Sequence, residues 1–175
     1  EFLSRNAGDL VSVVAKDLLK IADADRAQAP AISHGRVLAD IDDTVTSFTL
    51  TPTGIGNLEY PTSGKAAIGG SEIVTFTRVN DVMTIVRAQS GTLAKEHDAD
   101  EVVQLVLIYV SQSPADLVYD LLATYTEIDP AWLPLADWQA DIDSYIGRLY
   151  SAEIATPTAV KTLLDELIEQ TGLVI

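Results

Sequence analysis

Apolar and polar positions along this chain change their period more than once. Over 9–21, Leu10, Val14, Leu18 and Ile21 fall on one face of a 3.6-residue repeat with Val11 beside them. That spacing predicts an N-terminal amphipathic helix, with Ser4 or Asn6 as its candidate cap. "ADADRAQAPAISHG" follows without periodicity and reads as a linker. From 37 to 110 the period drops to two. "TVTSFTLT" alternates Phe48 and Leu50 with Thr49 and Thr51, the mark of a half-buried strand. "TPTGIGNLEYPTSG" is rich in turn formers, and "KAAIGGSEIVTFTRV", "NDVMTIVRA" and "VVQLVLIYV" are short Val-, Ile- and Thr-rich runs. Asn80-Asp81 between two such runs predicts a hairpin turn.

The last third returns to helical spacing. Ser113-Pro114-Ala115-Asp116 reads as a helix start, with a hydroxyl N-cap, Pro in the first position and a carboxylate in the first turn. Leu117, Val118, Leu121, Leu122 and Tyr125 make its stripe. A second helix is predicted over 135–146, with Trp138, Ile142, Tyr145 and Ile146 inward and Gly147 ending it. "RLYSAEIA" alternates as a strand. Thr156-Pro157 opens a third helix on Val160, Leu163, Leu164, Leu167 and Ile168, closed by Gly172. The fold class is therefore α+β. The predicted parts are an N-terminal helix and linker over 1–35, a small antiparallel sandwich- or barrel-like β-module over 36–112, and a mixed helix-strand-helix part over 113–175.

Composition narrows the partners. The chain is 47% apolar, enough for a core, while 11 Lys and Arg stand against 26 Asp and Glu for a net charge of −15. That balance argues against nucleic-acid recognition and against an anionic membrane surface, both of which call for clustered basic residues. An acidic exterior suits one half of an electrostatically matched protein contact. Cysteine is absent, which removes disulfides, thiolate metal sites and a cysteine nucleophile. No apolar run reaches the roughly 18 residues of a membrane span. The missing initiator Met and the strand-like ending "GLVI" suggest a piece of a longer polypeptide.

Three stretches and a few scattered residues invite a chemical reading. "VLADIDDTVTSF" carries Asp-x-Asp-x-Thr, the pattern of a haloacid-dehalogenase-type phosphatase, with Asp40 as nucleophile and Asp42 as acid. Ser111 at a strand end, Lys161 and the pair Asp141 and Asp143 are the available partners. That chemistry belongs to a doubly wound parallel sheet, whereas 44–110 is consecutive strands and turns, so Asp40, Asp42 and Asp43 read better as an exposed turn. "PTSGKAAIGG" lacks the first Gly and the hydroxyl of a phosphate loop, having Glu59 and Ala66 there. "AKEHDADE" gathers Glu96, His97, Asp98, Asp100 and Glu101 but fits no EF-hand frame, and reads as a solvated loop. His34 and His97 have no Ser or Cys partner in a recognisable motif, and Trp132, Trp138, Tyr125 and Tyr145 read as core or subunit contacts. No catalytic residue, cofactor or metal ligand is assigned.

The order of the strand runs carries a resemblance. Tyr60-Pro61-Thr62-Ser63-Gly64, then Ile68-Gly69-Gly70-Ser71-Glu72-Ile73, then Met83-Thr84-Ile85-Val86-Arg87-Ala88-Gln89, then Ala94 to Val102 around His97, resemble a β-module recurrent in tailed-bacteriophage virion proteins. Its pattern is a "YPTSG"-like turn, an "IGxEI" strand, a "TLTxVxRGxxGT" hairpin and "AxxHxxGxxV". Ala88 stands where Gly is usual, and Ala99-Asp100 where a Gly is common. "SPADLVYDLL" onward resembles the continuation in phage tail-tip and baseplate hub proteins. The resemblance implies a non-enzymatic virion component, made in the bacterial cytoplasm, that assembles as a homo-oligomeric ring, often trimeric, with other tail proteins around the tail channel. A receptor- or glycan-recognition module of the same tail is the alternative of the binding class, and the phosphatase that of the enzyme class.

Overall fold

The structure is a computed structural model that describes residues 27–172 and two short paired strands, β1 (Arg5–Asn6) and β2 (Asp9–Leu10). The predicted helix over 9–21 lies almost wholly outside the described residues.

An antiparallel six-stranded sheet forms the first of two packed units. It comprises β4 (Arg36–Val37), β5 (Ser47–Thr51), β6 (Ser63–Ile68), β7 (Glu72–Val79), β8 (Val82–Gln89) and β9 (Val103–Leu105), in the order β4-β5-β8-β7-β6-β9. A bridge between Arg36 and Val102 brings the two outer strands together, so the sheet is a nearly closed barrel. Along this seam Val37 N–H donates to the Glu101 carbonyl at 2.9 Å and Val103 N–H to the Gly35 carbonyl at 2.9 Å. The period-two pattern explains the interior, because alternate residues of a strand face one side. Phe48 and Leu50 of β5, Val74 and Phe76 of β7, and Met83 and Ile85 of β8 are all buried in one core with Val37, Ile68 and Val103. The Asn80-Asp81 hairpin joins β7 to β8, with Asn80 at φ 53°. The turn-rich stretch before β6 also holds a short helix, α1 (Ile55–Glu59), that its glycines and prolines did not predict. The Asp81 carboxylate clasps it by accepting from Gly54 N at 2.7 Å and Gly56 N at 2.8 Å.

The run "VVQLVLIYV" is divided between the two units. β9 ends at Leu105 in the barrel, and β10 (Leu107–Gln112) leaves it to pair with β11 (Tyr150–Ile154). Helix α2 (Pro114–Tyr125) starts as predicted: Pro114 is its first residue and the Ser113 hydroxyl accepts from Ala115 N at 3.3 Å. A 3₁₀ turn (Pro130–Trp132), α3 (Leu135–Tyr145) and α4 (Val160–Thr171) complete this unit, and Gly172 closes α4 at φ 72°. α4 begins later than Thr156-Pro157 suggests. The preceding residues form β12 (Thr158–Ala159), which pairs with β3 (Gln28–Ala29).

Leu117, Val118, Leu121, Leu122, Val160, Leu164 and Leu167 form the second core, joined by Ala27 and Ala29 from the stretch read as linker. That stretch is therefore docked from Ala27 onward. Ser33 N–H donates to Gln104 Oε1 at 3.0 Å, and Leu105 N–H donates to the Ser33 hydroxyl at 3.0 Å. In α3 only Ile142 is buried. Tyr145, expected inward, is the last residue of the helix and 86% exposed, because the packed face of α3 has narrowed to Ile142 by that point.

Candidate functional site: a buried charge network at the barrel seam

Inside the barrel the apolar alternation is broken on two adjacent strands. Glu72 has the inward parity of Val74 and Phe76 on β7, and Arg87 follows Met83 and Ile85 at the same spacing on β8. Glu72 is 0% exposed. Its carboxylate accepts from Arg87 Nη2 at 2.7 Å and Nε at 3.1 Å, from Ala88 N at 3.0 Å, from Lys95 N at 3.1 Å, and lies 3.1 Å from His97 Nε2. Burial alone would raise this carboxyl. The hydrogen bonds from Arg87, Ala88, His97 and Lys95 outweigh it and hold the group at about 2.

The rest of the network reaches the loop that closes the seam. His97 is buried, and its Nδ1 lies 2.7 Å from Glu101 Oε2, so both ring nitrogens face carboxylates. The same residue is stitched to Ile41 by a reciprocal pair of backbone hydrogen bonds, each 2.9 Å. Glu101 can reach His97 because Gly69 has no side chain: a Cβ there would sit 2.1 Å from Glu101 Oε2, and its φ is +56°. Arg87 spends its remaining donors on the carbonyls of Asp42, Val45 and Lys95. No buried side-chain polar atom is left without a partner among the described residues. The arrangement satisfies its own polar groups, and its chemical effect is to tie β7, β8 and the 95–101 loop to one point.

The residues of the phosphatase pattern are placed in separate roles. Asp40 Oδ1 accepts from Ala99 N at 2.8 Å, across the same seam. Asp42 Oδ1 accepts from Thr44 Oγ1 at 2.6 Å, Thr44 N at 2.8 Å and Val45 N at 3.0 Å. Those bonds, the Thr44 hydroxyl's foremost, lower its carboxyl below the usual range. Ser111 lies on β10, Lys161 pairs with Asp165 at 2.6 Å on α4, and Asp141 and Asp143 lie on α3, all in the second unit.

The other candidates are also accounted for. Gly64 and Lys65 are strand residues of β6, and Lys65 Nζ reaches Ser90 Oγ at 2.9 Å and Glu153 Oε2 at 2.8 Å. Of the acidic loop's side chains only those of His97 and Glu101 join the network, and no three His, Asp or Glu side chains are arranged to hold a metal ion among the described residues. His34 Nδ1 lies 2.8 Å from Glu59 Oε1 on the surface. Trp138 and Tyr125 pack against the helical core, whereas Trp132 is 71% exposed.

Sequence reasoning did not single out Glu72 or Arg87 as a pair. The available signal was parity: each is a charged residue at an inward position of an otherwise apolar strand face. Compared with protein-family models, curated proteins and solved structures, the chain matches none.

Proposed function

We propose that the chain is a structural component of a tailed-phage tail tip or baseplate hub, resident in the virion and assembled through protein contacts around the tail channel. One observation carries the reading. Ala88 and Asp100, at or beside the places where the virion β-module has glycine, have left-handed backbone, φ 55° and 67°. The module's glycines thus answer a backbone demand that this chain also has. Its Glu, Arg and His correspond here to Glu72, Arg87 and His97, which share one network. Both facts support reading 36–112 as that module, and the ring-forming role follows from the resemblance over roughly Ala39 to Ile175.

The test is assembly. Full-length protein produced with its neighbouring tail proteins is expected to form closed rings in negative-stain images, and antibodies against it are expected to label the tip of intact tails. Rings absent under all conditions, or label elsewhere than the tail, would overturn the reading. On this reading Asp40 fastens the seam and Asp42 closes its own turn, so an aryl phosphate with Mg²⁺ is left intact by wild type and Asp40→Asn alike. Measurable turnover lost in Asp40→Asn would favour the phosphatase instead. The exposed Trp132 favours a second reading, a recognition module of the same tail. Saturable binding to host envelope fractions, lost in Trp132→Ala, is what that reading requires.

A further inference from the structure

The outer face of the barrel across β5, β8 and β7 carries no charge. Ladder register lays it out in rows: Ser47 beside Thr84 and Thr77, and Thr49 beside Val82 and Val79. A third row sets Val86 against Thr75 before the bulge at Arg87 and Ala88. Val79, Val82 and Val86 are 75%, 45% and 61% exposed. No partner within the described residues engages the five Ser and Thr hydroxyls of these rows. Lys65, across β7 from Val86, borders the face and is held by Ser90 and Glu153. Arg36 of β4, paired with Thr51 of β5, borders the face on its other side and donates to the Asp100 carbonyl at 2.7 Å, while the acidic residues Asp40, Asp42, Asp43, Asp98 and Asp100 belong to the connections between strands.

We propose that this face pairs two copies of the chain about a two-fold axis. Two molecules of net charge −15 repel wherever their acidic surfaces meet, and they approach at least cost where neither presents a charge. A two-fold contact also requires a patch that complements itself. Hydroxyls meet that requirement because each both donates and accepts, and the exposed valines leave water on pairing. A basic partner would be drawn instead to the acidic surface outside this face. Three strands about 4.8 Å apart and five residues long offer about 300 Å² per copy. That is well below the roughly 800 Å² per partner of a standard stable interface, so the pairing is weak and concentration-dependent. The proposal does not depend on the hub reading, whose ring repeats a rotation in one direction rather than pairing like with like.

The experiment is sedimentation equilibrium of the full chain from about 10 µM to about 1 mM, at physiological and at raised salt. The expected result is a mean mass climbing from one chain toward two, and climbing earlier at high salt, where repulsion is screened. Thr84→Glu, which brings two carboxylates together at the centre of the contact, is expected to weaken pairing at least tenfold. Ala136→Glu, on an exposed position of α3, is expected to leave it unchanged. Dilution of isotope-labelled wild type is expected to shift amide resonances of β5, β7 and β8 alone, a readout that needs no variant to fold. A single-chain mass at about 1 mM in high salt, undiminished association of Thr84→Glu, or dilution shifts confined to another surface would each overturn the proposal. A trimeric ring that survives Thr84→Glu, with no pairing on this face, would support the hub and sink the pair. A dimer abolished by Thr84→Glu, with no ring, would do the reverse.

Discussion

Ala88 carries a cost that its neighbours do not. A non-glycine residue in the left-handed region loses about 1–2 kcal/mol, against about 0.5–1 kcal/mol for the extra freedom glycine must give up. Ala88 is held at φ 55° because its N–H and the Arg87 guanidinium must both reach Glu72. Ala88→Gly is therefore expected to stabilise the protein by about 0.5–1 kcal/mol, read as a higher urea midpoint at unchanged slope. Asp100→Gly should gain less, since Asp tolerates this region better than Ala. Glu72 is the opposite case. Glu72→Gln leaves Arg87 as a buried charge without its counter-ion, at a cost of about 3–5 kcal/mol in the same titration. The acid limb has a definite sign. The folded carboxyl lies at about 2 against an ordinary 4.5, so the unfolded chain binds the proton more readily. The stabilisation from Glu72 is complete above the ordinary value and drains away as pH falls through about 2. The gap between wild type and Glu72→Gln should accordingly narrow as pH falls through the ordinary value toward about 2 and be smallest at the acid end.

Among the elements, helix starts and hairpins were the most legible because their signals are local. Ser113-Pro114 fixed the start of α2, and Asn80-Asp81 the β7–β8 hairpin. Ser113→Ala is expected to cost about 0.5–1 kcal/mol, with loss of amide protection confined to the first turn of α2 in hydrogen-exchange measurements. What stayed hidden depends on partners distant in sequence. Thr156-Pro157 looks like a helix start, but the pairing of β12 with β3 holds the next residues extended. The run "VVQLVLIYV" has the texture of one strand, and only the separate pairings β6–β9 and β10–β11 divide it. Glu72 and Arg87 were visible as charged residues in apolar alternation. Their mutual contact was not, because a bulge between Ile73 and Thr75 of β7 and their partners sets the register there.

At the scale of the whole molecule, two cores are joined by polar clasps as well as by the chain. Lys65 on the barrel pairs with Glu153 on β11 at 2.8 Å. Burial pushes the Glu153 carboxyl up, but the bonds from Lys65 and Ser90 leave it below its ordinary value. Ser33 and Gln104 form the second clasp, which holds the segment entering the barrel against β9. Gln104→Ala removes the acceptor of the Ser33 amide. Hydrogen exchange at Ser33 and Leu105 is expected to accelerate by about tenfold while β7 and β8 keep their protection. The α+β class and the antiparallel module were legible from period alone, since each strand announces its own face. The near-closure of the sheet was not, because it rests on the Arg36–Val102 bridge between residues whose alternation says nothing of one another.

That closure has a consequence for how the protein behaves in crowded solution. An open sheet of these Thr- and Val-rich strands would offer a row of free amides and carbonyls as a template for polymerisation. Joining β4 to the Val102 seam consumes that template, and the stitched pair of Ile41 and His97 extends the seal. The vulnerable edge is displaced to the small β10–β11 ribbon, where Ile108 and Val110 stand exposed. Fibre-like misassembly, if provoked by heat or acid, should start at that ribbon while the barrel remains sealed.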